Sequence, residues 1–292
     1  MLRGLAAVAA PSDIAAIVNT ADDFVLHGLT ICPDLDTVTY TLAGASNTTL
    51  GWGLEGETWT VMAALDRYGG QTWFRLGDQD LATHLYRTQR LSEGAGLAVV
   101  AAEIATAWDV GVRLLPMTET PVRTRLVVGG DELDFQDYFV RRRHSVAVSS
   151  VRFEGASDSV PGPGVLAALA ESERVVICPS NPIVSVGPVL AVPGVRAAVA
   201  ARRDDVVAVS PIVAGAALKG PADRLLRELG HEASVVGVAR LYADVAGTLV
   251  IDTADAALAG AVEAEGVRCV VTPTVMSSLD AAAALAQVVL SC

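Results

Sequence analysis

No run of apolar residues in this 292-residue chain reaches the roughly 18 consecutive positions that a membrane-spanning helix needs. This holds although 52% of the residues are hydrophobic and mean hydropathy is +0.44. A basic stripe is also missing: the net charge is −12, which argues against a nucleic-acid binder. The four cysteines, Cys32, Cys178, Cys269 and Cys292, form no C-x-x-C and share no spacing with the four histidines. A disulfide framework is therefore not expected, and reduced thiols in the cytoplasm are the default. The P-loop pattern, a Rossmann fingerprint, a nucleophilic serine elbow and a catalytic Cys–His pair are all absent. Met1 to Ala9 has one basic residue and too short an apolar run for a signal peptide, and reads as a helix ending at Pro11.

What the chain does have is aspartate at a strand end. Ile14–Val18 reads as a short buried strand that runs out at Asn19-Thr20, and ligands of open α/β sheets sit outside the carboxyl ends of strands. Asp22, Asp23, Asp34 and Asp36 fall close behind. Oxygen-only ligands without a cysteine or histidine cluster suit a hard cation such as magnesium. Asp-rich turns also cap helices, and Asp36 is placed to be the N-cap of a helix through Val38–Leu42.

The chain reads as one α/β domain, 1–292, with a mostly helical insertion at about 52–145 that also carries a β-hairpin. Helices are expected near 58–65, 81–86 and 97–108, with Asp78 capping the second and His84 on its flank. Gly129-Gly130-Asp131 between Val122–Val128 and Glu132–Phe135 is the hairpin turn. From Val146 on, strands at 146–151, 174–178, 206–209, 248–251 and 269–272 alternate with helices at 164–170, 195–201, 223–229, 234–243, 256–265 and 278–290. This is the pattern of a doubly wound, mainly parallel, Rossmann-like sheet. Several strands end in Ser, Asn, Thr and Pro: Cys178-Pro179-Ser180-Asn181-Pro182, Ser210-Pro211 and Thr272-Pro273-Thr274. A loose glycine loop, Gly215 to Gly220, precedes the helix at Asp223 and offers backbone amides to a phosphate or base. Metal-assisted phosphoryl chemistry or nucleotide binding is the class these residues support.

Six segments, in order, resemble the 2-phospho-L-lactate transferase family (CofD/FbiA type). They are Asn19–Asp23, Pro33–Thr37, Leu76–His84, Phe135–Tyr138, Pro179–Pro188 and Ser210–Ile212. The resemblance spans nearly the whole chain. It implies a magnesium-dependent transferase of coenzyme F-420 biosynthesis. Such an enzyme moves a phospholactyl or phosphoenolpyruvyl group from a guanosine diphosphate-linked donor to the hydroxyl of the deazaflavin Fo, releasing GMP. Carried onto this chain, Asp22 and Asp36 would be catalytic, and Asp22, Asp23, Asp34 and Asp36 would bind magnesium. Asn19, Thr20, His27, Asp78 and His84 would line the Fo side. Ser180, Asn181, Ser185, Ser210, Gly215 and Gly220 would hold the donor. The family also implies a homodimer. The alternative is a regulatory gluconeogenesis-factor type of the same superfamily, which binds a nucleotide-sugar without transfer; Phe24–Gly28 followed by Pro33–Asp36 favours the transferase. The family begins with a strand and a glycine-rich loop where this chain has Met1. The expectation is either a start placed too late or a chain without that loop and a central strand, which would make a nonenzymatic subunit a third reading.

Overall fold

The computed structural model describes residues 1–292. Helix α1 (Leu2–Val8) stops short of Pro11, and strand β1 (Ala15–Val18) follows a single 3-10 turn. Strands β2 (Phe24–Leu26) and β3 (Leu29–Ile31) make a tight antiparallel pair. Its two turn residues, His27 and Gly28, have φ of 53° and 77°, as a two-residue hairpin requires. Four helices come next: α2 (Pro33–Leu42), α3 (Thr60–Arg67), α4 (Asp80–Ser92) and α5 (Leu97–Ala107).

Strand β4 (Arg113–Pro116) then returns to pair in parallel with β1, Ala15 opposite Arg113 and Val18 opposite Pro116. This strand was not legible in the sequence. It has four residues, one of them arginine and one proline, and it lies in the part expected to be helical. Strands β5 (Arg123–Val128) and β6 (Asp131–Asp134) form the expected hairpin through Gly129 and Gly130, both at positive φ.

The strand expected at Val146–Val151 lies instead at β7 (Ser150–Glu154), and it joins the hairpin in antiparallel fashion rather than the parallel sheet. The cause is the alternation along Ser150-Val151-Arg152-Phe153, which suits a half-exposed antiparallel strand better than a doubly buried one. Charged cross-strand pairs reinforce it: Arg152 Nε reaches Glu132 at 2.6 Å, and Arg125 Nε reaches Glu154 at 2.8 Å.

The remaining chain alternates as expected. It runs α6 (Val165–Glu171), β8 (Val175–Ile177), α7 (Gly187–Ala191), α8 (Val195–Ala200) and β9 (Val206–Val209). The short pair β10 (Ile212–Val213) and β11 (Ala216–Ala217) follows, with α9 (Ala222–Glu228) and α10 (Val235–Tyr242). The chain ends with β12 (Thr248–Ile251), α11 (Ala259–Ala264), β13 (Arg268–Val271) and α12 (Leu279–Ser291).

Strands β8, β9, β12 and β13 form one parallel sheet in that spatial order. Every residue of β9 and β12 is buried, because helices cover both faces. The alternation is visible in the core. Val206, Ala208, Leu249 and Ile251 enter the large cluster with α6, α8, α9 and α10, while Val207, Val209 and Val250 meet Leu285 and Val289 of α12. The sheet does not run continuously into β1–β4. Strand β1 pairs only with β4 and β8 only with β9, and every residue of β1 and β8 lines a cavity of about 2120 Å³ between them. The doubly wound sheet thus consists of two parallel pieces rather than one. No helix is long and apolar enough to cross a membrane.

Candidate active site

The carboxyl end of β1 opens on this cavity, and the turn Asn19–Asp23 is fixed there from several sides. The Met117 amide donates to the Val18 carbonyl at 2.9 Å, and that of Thr124 to the Ala21 carbonyl at 2.8 Å. Gln136 Nε2 donates to the Asp22 carbonyl at 3.1 Å, and Arg123 Nη1 to that of Asp23 at 2.8 Å. Helix α2 begins four residues earlier than the placing of Asp36 as N-cap implied. Pro33 sets the helical φ at its first position, Cys32 is the N-cap, and Asp34 and Asp36 both fall in the first turn.

Asn19 joins the two acidic segments. Its Nδ2 donates to Asp22 Oδ2 and to Asp34 Oδ2, each at 2.9 Å, while its Oδ1 accepts from the Ala21 amide at 2.9 Å. One oxygen of Asp22 and one of Asp23 are buried without any partner. Burial, with the charge of Asp34 next, raises the Asp22 carboxyl well above its ordinary value. Burial likewise raises Asp23, and brings Asp34 up to about 6 against the help of Asn19. Asp22 and Asp34, both on the cavity wall and joined by Asn19, offer an oxygen-only carboxylate pair, one oxygen of it unsatisfied, that fits a hard divalent cation, whereas Asp23 faces the neighbouring pocket.

Asp36 belongs to a neighbouring buried network. Its two oxygens face both terminal nitrogens of Arg87, one at 3.1 Å, and Arg87 is only 2% exposed. His84 lies between carboxylates, with Nδ1 3.6 Å from Asp36 and Nε2 3.2 Å from Asp80. The Tyr40 hydroxyl donates to Asp80 at 2.7 Å. Burial pushes the Asp80 carboxyl up, but His84 and Tyr40 outweigh it and hold it below its ordinary value. Burial raises Asp36 despite Arg87. Ligand atoms of Asp36, Asp80 and His84 lie within 4.8 Å of one another. The Arg87 guanidinium, 3.3 Å from His84 Nδ1, already supplies the positive charge these carboxylates need.

The other expected residues divide into two groups. Asn19, Asp22, Asp34, Ser180, Asn181, Ser185, Ser210 and Gly220 all line the cavity; Gly215 does not. Thr20 and Asp23 face a smaller pocket of about 190 Å³ beside it. Asn181 Oδ1 accepts from the Ile183 amide at 2.9 Å, capping the helical turn after it, and Ser210 Oγ accepts from the Ile212 amide at 3.1 Å.

His27 and Asp78 lie away from these residues. His27 is exposed in the β2–β3 turn, with Nε2 2.9 Å from the Gln71 carbonyl. Asp78 does not cap α4. Its carboxylate accepts from the Thr60 and Val61 amides at 2.9 and 3.0 Å, at the start of α3, and with the Thr58 hydroxyl they lower it to about 2. Glu57 takes the Gln79 and Asp80 amides of α4 in its place, at 2.9 and 2.8 Å. Arg87, Tyr40, Asp80 and Gln136 were given no site role from the sequence. The signal for two of them was present: Asp80, His84 and Arg87 are spaced for one face of a helix.

Comparison with known proteins places the chain in a family. The family model described as 2-phospho-L-lactate transferase CofD matches residues 1–278. A Kitasatospora aureofaciens protein named phosphoenolpyruvate transferase is 44% identical over 99% of this chain and 92% of its own length. One of the same name from Streptomyces griseus is 45% identical over 98% and 92%. Another from Mycolicibacterium smegmatis is 39% identical over 94% and 86%. A crystal structure of a Bacillus halodurans protein superposes with a TM-score of 0.62 at 16% identity, covering 99% of this chain and 94% of that one. A second crystal structure of that same protein, described as a UPF0052-family member, gives 0.60 at 17%, with the same coverage. Those two likenesses bear on the fold alone. The chain belongs to CofD, the 2-phospho-L-lactate transferase family, and is a transferase of coenzyme F-420 biosynthesis.

Proposed function

We propose that the chain transfers a phosphoenolpyruvyl group from a guanosine diphosphate-linked donor to a hydroxyl of the deazaflavin Fo, with magnesium. The choice of enolpyruvyl over lactyl is supported by relatives at 39–45% identity that carry the name phosphoenolpyruvate transferase. The observation that carries the reading is the Asp22–Asn19–Asp34 bridge, with its orphaned carboxylate oxygen, at the carboxyl end of β1. The four free thiols suit a reducing cytoplasm.

Asp22, which lines the cavity and keeps one oxygen unpartnered, would hold magnesium. When bound, that ion supplies charge neutralisation for the diphosphate. Asp34 orients the Fo hydroxyl and takes its proton, since a carboxyl brought up to about 6 is ionised yet basic at neutral pH. The hydroxyl oxygen forms a bond to the phosphorus bearing the enolpyruvyl ester. The phosphoanhydride bond breaks, and its electron pair leaves with GMP. Asn19 keeps Asp22 and Asp34 in fixed relation through the transfer. Asp36 has both oxygens committed to Arg87, so its role is to position α2, and hence Asp34, against α4. Ser180, Asn181 and Ser185, after β8, form the donor side with Ser210 and the loop before α9.

The test is GMP release by the purified protein given Fo, magnesium and each donor in turn, against Asp22→Asn. Release with the enolpyruvyl donor, lost in Asp22→Asn and restored in part by raised magnesium, is the expected result. A folded protein that releases no GMP from either donor would overturn the proposal.

A further inference from the structure

The donor proposed above is a dianion or more, yet the rim it must approach carries carboxylates, in a chain of net charge −12. Four cationic side chains line the cavity: Arg3, Arg113, Arg174 and Lys219. Arg113 opens β4 and Arg174 precedes β8, so both enter at the amino ends of strands, opposite the aspartates. Arg3 lies in the first turn of α1. Lys219 alone rises from a loop beyond the carboxyl end of β9, the edge where ligands of parallel sheets bind.

Lys219 is the only lysine in the sequence. It is exposed and pairs with no carboxylate, whereas every ion pair in the molecule uses arginine or histidine. Its loop is anchored at the base and free at the tip. At the base the Ala214 amide donates to Asp255 at 2.9 Å and Arg227 Nη2 to the Gly215 carbonyl at 3.0 Å. At the tip the amides of Leu218, Lys219 and Gly220 donate to no protein acceptor. Gly220 has φ of 68°, a left-handed turn that a side chain would resist. A flexible ammonium on a strand-end loop with three unpartnered amides is the chemistry of a phosphate contact.

We propose that Lys219 and the tip of its loop bind the diphosphate of the nucleotide donor. The inference rests on the donor assignment made above and adds the residue that recognises its charge.

A single lysine makes the test selective. Reductive methylation with carbon-13 formaldehyde leaves one side-chain dimethyl-lysine signal, which retains its charge, beside that of the terminal amine. GDP and inorganic diphosphate are expected to shift that signal, and guanosine to leave it in place. In the unmodified enzyme, Lys219→Ala should raise the donor KM by about 10- to 100-fold, leave the KM for Fo unchanged, and be rescued in part by Lys219→Arg. GDP binding detected by calorimetry with the lysine signal unmoved would overturn this proposal and leave the donor site intact. No GDP binding at all would overturn both. An unchanged donor KM in Lys219→Ala would also overturn it.

Discussion

Asp34 stands between two demands, because burial opposes its charge while the proposed proton transfer needs it ionised. Its carboxyl is raised from 3.8 to about 6 in the folded protein, so the folded state binds the proton more tightly than the unfolded state. Without metal, its contribution therefore lowers stability as pH rises from about 4 through about 6. Thermal melts across that range in chelator should show a decline that Asp34→Asn reduces; an equal decline in the variant would refute the assignment. Arg87 presents the opposite case, a buried cation held by a buried carboxylate. Arg87→Met leaves Asp36 charged and unpaired, and should destabilise the protein by about 3–5 kcal/mol in denaturant melts. Asn19, Asp22 and Asp34 were legible in the sequence because a strand end and a helix start bring nearby residues together. Arg87 was not, since it lies 51 residues from the Asp36 it holds.

Between elements, close approach takes the place of side-chain packing at one point. Helix α1 lies against α12, and a Cβ on Gly4 would overlap the backbone carbonyl of Ala282. Gly4→Ala must push the two helices apart, and is expected to cost about 1–3 kcal/mol in equilibrium unfolding although alanine favours a helix. A neutral or stabilising result would mean that α1 does not seat there. The same scale explains the two capping corrections. Pro33 starts α2 early and puts Asp36 inside it, and Asp78 reaches back to α3 while Glu57 serves α4. Sequence offers a cap by its nearness to a helix start, but which side chain reaches the free amides depends on how the connecting loop folds.

For the molecule as a whole, the two-piece sheet sets where stability lies. Strands β9 and β12 are buried on both faces and paired on both edges, whereas β1 and β8 each have one edge on the cavity. In native-state hydrogen exchange, amides of β9 and β12 should be the slowest, with β1 and β4 faster by roughly tenfold or more. Equal protection throughout would mean that the two pieces open as one unit. Magnesium with GDP should slow the Asn19–Asp23 turn more than β12, if the proposed site is the place of binding.

Local pattern along the chain was enough for the α/β class, the alternating parallel half, the β5–β6 hairpin and the acidic strand end. Each is written in local periodicity, turn residues or a short span of chain, which survive without knowledge of distant neighbours. Long-range pairing, visible in the folded molecule alone, joins β4 to β1, puts β7 in an antiparallel sheet and keeps β1 and β8 apart. The folded molecule alone also separates the Asp22–Asp34 pair, with its unsatisfied oxygen, from an Asp36 already neutralised by Arg87. Those outcomes depend on pairing and charge compensation between segments far apart in sequence, whose energies no local pattern carries.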